Sequence, residues 1–142
     1  MIVQATWRDL NSLRHVEQVC FPKDAWPLWD LIGVLTLPNI VRLKAVINEQ
    51  MVGFIAGDLR PSEHMAWIAT IGVLPERRGK GIARALLQEC EKRIEIPTIR
   101  LNVRVSNSPA IQLYQSFGYK RVGLWPGYYD DGEDALVMEK QR

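Results

Sequence analysis

The clearest structural pattern in the chain is Ile71-Gly72-Val73-Leu74-Pro75-Glu76-Arg77-Arg78-Gly79-Lys80-Gly81-Ile82-Ala83-Arg84-Ala85-Leu86-Leu87. An apolar strand here leads into a basic loop with two glycines, and the loop leads into a helix. Glycine lets the backbone approach a ligand closely, and the first amides of a helix lack partners within it, so they can bind a phosphate. The pattern therefore predicts an anion-binding site, with positive charge supplied by Arg77, Arg78, Lys80 and Arg84.

The helix predicted over 78–93 has one apolar face, because apolar residues recur at the spacing of helical turns. These residues are Ala83, Leu86, Leu87, Cys90 and Ile94. Such a face must pack against a sheet. The helix joins a strand over 65–73 to a strand over 98–104, so we predict that these two strands are parallel.

The rest of the chain supplies further elements of both kinds. Alternating or continuous apolar residues predict additional strands over 40–47, 51–58, 119–122 and 135–139. Helices are predicted over 6–19 and 27–35, and another from 106–109 to a cap at Gly118. Near the second helix, Trp26 and Trp29 fit either core packing or the wall of a substrate groove.

The composition is that of an ordinary globular domain. With 142 residues, 47% apolar and 24% charged, and a net charge of +2, the chain has the length of a single domain, 1–142. The small charge favours no nucleic-acid partner, and no apolar run reaches the roughly 18 residues of a membrane span. The first residues lack the pattern of a leader peptide, so we expect a cytoplasmic protein. Cys20 and Cys90 are predicted to be buried thiols, and no metal site is expected.

Two stretches resemble one enzyme family. Arg78-Gly79-Lys80-Gly81-Ile82-Ala83 is similar to the Q/R-x-x-G-x-G/A loop of the GCN5-related N-acetyltransferases (GNAT), which holds the pyrophosphate of acetyl-CoA. Alone, the loop fits other nucleotides, although it lacks the Ser or Thr of a P-loop and does not complete G-x-G-x-x-G. Asn107-Ser108-Pro109-Ala110-Ile111-Gln112-Leu113-Tyr114-Gln115-Ser116-Phe117-Gly118-Tyr119 resembles the family's N-x-x-A-x-x-L-Y-x-x-x-G-F/Y motif at every marked position.

The resemblance implies that acetyl-CoA is the cosubstrate. The residues implied to bind it are Ile71, Gly72, Val73, Arg78, Gly79, Lys80, Gly81, Ile82, Ala83, Arg84, Asn107 and Tyr114. Asn107 is implied to hydrogen-bond the pantetheine arm, and Tyr114 to place its hydroxyl beside the thioester sulfur. A phenol with a pKa of about 10 is protonated at pH 7 and can supply a proton to a departing thiolate, so Tyr114 is the predicted catalytic residue.

The carboxyl-terminal stretch Gly127-Tyr128-Tyr129-Asp130-Asp131-Gly132-Glu133-Asp134-Ala135 resembles the Y-Y-x-D-G-E-D-A ending of protein N-terminal acetyltransferases. The acidic residues also fit a solvated turn. By the same resemblance, the implied substrate-binding residues are Phe21, Pro22, Trp67, Asn102, Tyr128 and Tyr129.

One departure concerns the general base. Asn102 stands where these enzymes often have Glu or His, and Trp67 where some have a base tyrosine. An amide accepts no proton at neutral pH, so the base stays open. If solvent takes the proton, we expect α-amines, with pKa about 7.7 to 8.0, to react in preference to lysine amines near 10.4.

Together these patterns predict a mixed α/β (α+β) fold of the GNAT type. We expect a mostly antiparallel sheet of about seven strands, with one splayed parallel pair and helices on both faces. The predicted activity is direct transfer of an acetyl group from acetyl-CoA to the N-terminal α-amine of a protein. The alternatives are a small-molecule amine (polyamine, aminoglycoside or amino acid) as acceptor, or an acyl-CoA sensor without turnover. Monomer and homodimer both remain open.

Overall fold

The computed structural model describes residues 1–142 and contains one seven-stranded sheet. The strands are β1 (Ile2–Gln4), β2 (Ile40–Ile47), β3 (Gln50–Arg60), β4 (Met65–Val73), β5 (Thr98–Arg104), β6 (Lys120–Trp125) and β7 (Ala135–Gln141). The helices are α1 (Leu10–Cys20), α2 (Leu28–Thr36), α3 (Ile82–Arg93) and α4 (Ser108–Ser116). None of the four helices has the length and apolar character needed to cross a membrane.

The strand order is β1-β2-β3-β4-β5-β7-β6. Every neighbouring pair is antiparallel except β4 and β5, which are parallel. This confirms the predicted mixed sheet with one parallel pair. The strand that was not predicted is β1, whose three residues pair with β2 from Ile2 opposite Ala45 to Gln4 opposite Leu43.

Helices cover both faces of the sheet, as predicted. A side chain carbon placed on Gly53 of β3 would lie 3.1 Å from Leu86 of α3, and one on Gly72 of β4 would lie 3.2 Å from Cys20 of α1. Because Gly53 pairs with Val73, Gly53 and Gly72 face opposite sides of the sheet. Helices α1 and α3 therefore pack on opposite faces, and the end of α1 lies over the carboxyl end of β4.

Two helix boundaries differ from those predicted. Helix α3 begins at Ile82 instead of residue 78, because Gly79 and Gly81 take left-handed φ angles of +78° and +79°. Before α1, the predicted capping box is present, with the Thr6 amide donating to Asp9, but residues 7–9 form a 3-10 turn and the α-helix begins at Leu10.

The two cysteines also differ from each other. Cys90 is fully buried in the core, and burial raises the pKa of its thiol to about 12. Cys20 is only half-buried, because it lies at the end of α1 where the sheet opens, and its thiol donates to the carbonyl of Val73 at 3.3 Å. The prediction of two buried thiols is thus correct for Cys90 and wrong for Cys20.

Candidate active site

Strands β4 and β5 are paired over only two residues each. Ala66 is aligned with Ile99 and Trp67 with Arg100, and beyond them the strands separate toward their carboxyl ends. Two adjoining cavities open from this split, with volumes of about 690 Å³ and about 660 Å³. They share a wall that includes Phe21, Ile71, Asn107 and Tyr114.

The cavity of about 660 Å³ reaches the basic glycine loop, and we call it the loop cavity. Gly79 and Gly81 border it, and a side chain carbon at either position would meet no atom within 4 Å, so the backbone there faces open space. The first turn of α3 starts at the same place and presents amides that have no helical partner. Arg78 fixes the loop to the strand end, since its Nε donates to the Val73 carbonyl at 3.0 Å. The cavity also contains the cations Arg77 and Arg84.

The cavity of about 690 Å³ is called here the tyrosine cavity, because Tyr128 and Tyr129 line it. Asn102 donates from Nδ2 to the Tyr129 hydroxyl at 3.3 Å. Phe21 lines both cavities, whereas Pro22 lines only the loop cavity. The structure thus gathers most of the predicted cosubstrate- and substrate-binding residues around one continuous opening.

Two predicted site residues lie outside both cavities. Lys80 is exposed, because the two left-handed glycines beside it turn the chain sharply and leave its side chain in solvent. Trp67 lies at the closed end of the split and stacks on Trp125, with ring centroids 5.9 Å apart. Its link to the tyrosine cavity is indirect, through the contact of Trp125 with Tyr128 at 5.1 Å.

The sequence left two roles open for Trp26 and Trp29, core packing and the wall of a substrate groove. Trp26 lines the tyrosine cavity and packs against the core, so it meets both descriptions. Trp29 is 79% exposed and therefore meets neither.

Helix α4 positions Tyr114 in the wall between the cavities. The helix is capped by Asn107, whose Oδ1 accepts from the Ala110 amide at 3.3 Å. Tyr114 follows two turns later and is 5% exposed. No residue forms a hydrogen bond with its hydroxyl. Because every fully buried side-chain oxygen in the protein has a hydrogen-bond partner, the Tyr114 hydroxyl is not fully buried and opens onto the cavity. Burial raises the pKa of Tyr114 above its usual 10.0, which keeps the hydroxyl protonated and able to donate at neutral pH.

Arg104 joins the two loops that border the tyrosine cavity. It donates to Asp24 at 2.7 and 2.8 Å, to Asp131 at 2.9 and 3.0 Å, and to Glu133 at 2.7 Å. Its guanidinium also lies 4.2 Å from the centre of the Tyr129 ring. Arg104 thereby connects the loop after α1 with the loop between β6 and β7.

The acidic stretch is therefore anchored to strand β5 through Arg104 and is not merely a solvated turn. Hydrogen bonds from the backbone of Glu133 and from Arg104 lower the pKa of Asp131. Hydrogen bonds from Ser106 and Arg104 lower the pKa of Glu133. Both carboxylates are therefore charged at neutral pH and can pair with Arg104.

Sequence reasoning missed two polar residues at this site. Arg104 could have been found, because it lies two residues after Asn102 and thus on the same face of β5. Glu17 is buried at 2% exposure and accepts from the Thr70 hydroxyl. Its signal was weaker, because a glutamate at the edge of an apolar helical stripe is usually exposed.

Comparisons with known proteins agree with this geometry. A model described as "Acetyltransferase (GNAT) family" matches residues 7–119. The chain is 45% identical to an N-alpha-acetyltransferase of Sulfurisphaera tokodaii, over 96% of this chain and 90% of that protein. It is 34% identical to the N-alpha-acetyltransferase RimI of Mycobacterium tuberculosis, over 82% of this chain and 76% of that protein.

A comparison with solved structures finds an acetyltransferase as well. The crystal structure of the ribosomal-protein-S18-alanine N-acetyltransferase from Escherichia coli superposes with a TM-score of 0.88, at 29% identity, covering 99% of this chain and 92% of that one. Three observations indicate the same family: the split parallel pair, the glycine loop at its mouth and the match to the family model. The chain belongs to the GNAT family of acetyltransferases.

Proposed function

We propose that this protein transfers the acetyl group of acetyl-CoA to the N-terminal α-amine of a protein. The observation that carries this proposal is the shared wall of the two cavities, where Tyr114 faces an anion-binding loop on one side and a tyrosine pair on the other. A donor in the loop cavity and an acceptor in the tyrosine cavity would meet at that wall. Direct transfer then needs no covalent intermediate with the enzyme.

The loop cavity fits the pyrophosphate of acetyl-CoA. The open space at Gly79 and Gly81 admits a bulky anion against the backbone, and the amides at the start of α3 supply donors. Arg78 and Arg84 add charge, although Arg84 also bonds Ser116 at 3.0 Å. The Asn107 side chain caps α4 through its oxygen, which leaves its NH2 group for the pantetheine arm.

When bound, acetyl-CoA supplies a thioester whose acetyl carbon can accept an amine. Tyr114 holds the proton that the departing sulfur needs, because its phenol remains protonated in its buried position. Phe21 lines both cavities and adds an apolar surface beside the wall that they share. The contribution of these residues to the rate is mainly positioning.

A protein N-terminus fits the tyrosine cavity better than a small amine does. Tyr128 is 52% exposed at the mouth, which gives a peptide a surface to follow outward from the buried amine. Names of relatives point the same way, since the N-terminal acetyltransferase A complex catalytic subunit NAA10 of Arabidopsis thaliana is 30% identical over 98% of this chain. We therefore propose Phe21, Asn102, Tyr128 and Tyr129, which line the tyrosine cavity, as residues that bind the peptide. Pro22 lines only the loop cavity and is not included.

The test is thiol release and peptide mass after incubation with acetyl-CoA. The first peptide has a free α-amine and no lysine, and the control has a blocked α-amine and one lysine. We expect the first to be acetylated at least about 100-fold faster, because far more of its amine is neutral at pH 7. Equal rates would contradict the proposal. Rapid acetylation of spermidine with neither peptide modified would favour a small-molecule acceptor, and binding of acetyl-CoA without any thiol release would favour a sensor.

A cytoplasmic location and a monomeric or dimeric state stay predictions. Size-exclusion chromatography with light scattering would determine the latter.

A further inference from the structure

Glu17 is a carboxyl group buried beside the tyrosine cavity without a cation. It is 2% exposed, and its side chain has one partner, the hydroxyl of Thr70, at 3.3 and 3.5 Å from its two oxygens. Burial of a carboxylate without a positive partner costs stability, and an apolar residue would pack there without that cost. A buried titratable group beside a cleft is a candidate for a role in function.

Thr70 connects Glu17 to the cavity. The register of β3 and β4 shifts by one residue at this point, since Ala56 is aligned with Thr70 but Gly57 with Ile68. The extra residue, Ala69, forms a bulge in β4. Thr70 thus directs its hydroxyl to Glu17 on α1 while lining the tyrosine cavity together with Tyr114.

We propose that Glu17, acting through the hydroxyl of Thr70, accepts the proton that the acceptor amine must lose. This inference rests on the proposed function and names the proton acceptor of that same site. Asn102 lines the same cavity from the facing strand β5, and its amide cannot take this role. Glu17 supplies the missing carboxylate from behind Thr70, which lines the cavity, so transfer does not depend on solvent as the acceptor.

The protons balance as follows. The ammonium form of the α-amine gives one proton to the Thr70 oxygen as the Thr70 hydroxyl proton passes to Glu17. The neutral amine forms the carbon–nitrogen bond, the carbon–sulfur bond breaks, and the sulfur takes a proton from Tyr114. The second proton on the new amide nitrogen returns to the Tyr114 oxygen, and Glu17 releases its proton to solvent. The net products are an amide, a thiol and one proton.

The surroundings of Glu17 suit a group that exchanges a proton near neutral pH. Burial raises its pKa to about 7, and the hydrogen bond from Thr70 partly opposes that rise. An α-amine with a pKa of about 7.7 to 8.0 is matched to such an acceptor, whereas a lysine amine near 10.4 is not.

Charged groups on the neighbouring elements do not pair with Glu17. Helix α1 packs against β3, β4, α2 and the 3-10 turn at 7–9. Strand β4 has no titratable residue, and those on the other three elements are Asp58, Arg60, Asp30, Arg8 and Asp9. Asp58 is paired with Arg60 at 3.0 Å, and Asp9 with Lys44 at 2.8 Å. On α1 itself, the other titratable residues are Arg14, His15 and Cys20. Arg14 and His15 are exposed and form no ion pair with Glu17. The raised pKa of the Cys20 thiol is due mainly to burial and in a small part to Glu17.

The experiment compares kcat/KM for wild type and Glu17→Gln across about pH 5.5 to 9, with the α-amine peptide. Glu17 is needed for the ammonium form of the amine and acts only when its own carboxyl is ionised. We therefore expect the ratio of wild type to variant to be largest, about 100, near pH 7 to 8, and to fall toward one both below about pH 6, where Glu17 is protonated, and toward pH 9, where the amine is already neutral. Thr70→Val should show a similar loss, and Thr70→Ser should retain most of the activity. The exposed Glu95→Gln is the matched control and should behave as wild type.

A readout independent of turnover accompanies the kinetics. Carbon-13 NMR of glutamate-labelled protein should show one carboxyl that titrates near pH 7, absent in Glu17→Gln and shifted upward in Thr70→Val. Calorimetry should give all variants the same affinity for acetyl-CoA. A ratio near one at every pH, or equal activity of Thr70→Val and Thr70→Ser, would overturn the inference while the proposed function stands. If wild type acetylates no peptide, the proposed function and the inference fall together.

Discussion

Replacement of Glu17 by Gln should change how the stability of the protein depends on pH. The folded protein holds the Glu17 proton up to about pH 7, whereas the unfolded chain releases it near its ordinary pKa of 4.5. Between those values the folded state binds more protons, so the free energy of unfolding falls as the pH rises. A pKa raised from 4.5 to about 7 corresponds to about 3 kcal/mol. This loss of stability is absent below pH 4.5, grows between pH 4.5 and about pH 7, and is constant above about pH 7.

Glutamine has the same shape and no charge, so the variant lacks this cost. We expect the unfolding free energy of Glu17→Gln, relative to wild type, to increase by about 3 kcal/mol between about pH 4 and about pH 8. Urea denaturation followed by tryptophan fluorescence measures both proteins at each pH, and other titrating groups cancel in the difference. Glu95→Gln provides the control, because Glu95 is exposed. A difference that stays constant within about 1 kcal/mol over this range would refute the reasoning that Glu17 is buried as an unpaired acid.

Three further changes test the cavities. Gly81→Asp should weaken acetyl-CoA binding at least about tenfold in calorimetry by placing a carboxylate at the loop, whereas Gly127→Asp, also at a positive φ in open space, should not; equal affinities would contradict the anion site. Tyr114→Phe should lower kcat at least about tenfold with little change in KM or melting temperature, since its hydroxyl bonds no other residue; an unchanged kcat would remove it from the chemistry. Arg104→Gln should raise the peptide KM about tenfold and leave acetyl-CoA affinity unchanged, because the loops at the tyrosine cavity lose their connection; an unchanged KM would show that the loops hold their positions without it.

Much of the fold could be predicted because its determinants are local. The change from a nearly continuous apolar run to a helical stripe located β4 and α3, and the helix between two strands required a parallel pair. Strand β1 could not be found in this way, because three residues carry no period and the strand exists only through pairing with β2. The start of α3 was misjudged because the conformation of Gly79 and Gly81 depends on the turn as a whole.

The site was predicted where motifs describe it and missed where it depends on packing between distant segments. Asn107 and Tyr114 lie seven residues apart on one helix, so their sequence spacing already determines their geometry. Arg104 and Asp24 are 80 residues apart and meet only because the loop after α1 folds over the end of β5. Glu17 and Thr70 are 53 residues apart, and their contact depends on the bulge in β4.

The two-residue pairing of β4 with β5 also has a mechanical consequence. The strand pairing divides the sheet into two leaves, β1 to β4 and β5 to β7, which are joined only at Ala66 and Trp67, and we call this junction the hinge. Past the hinge, the backbone groups that face the gap have no partner strand, so each leaf can fluctuate against the other. A ligand that fills the gap contacts both leaves and restricts their relative motion. Amide hydrogen exchange in residues 68–73 and 101–104 should therefore slow when the cavities fill, while exchange at the outer pair of β2 and β3 stays the same.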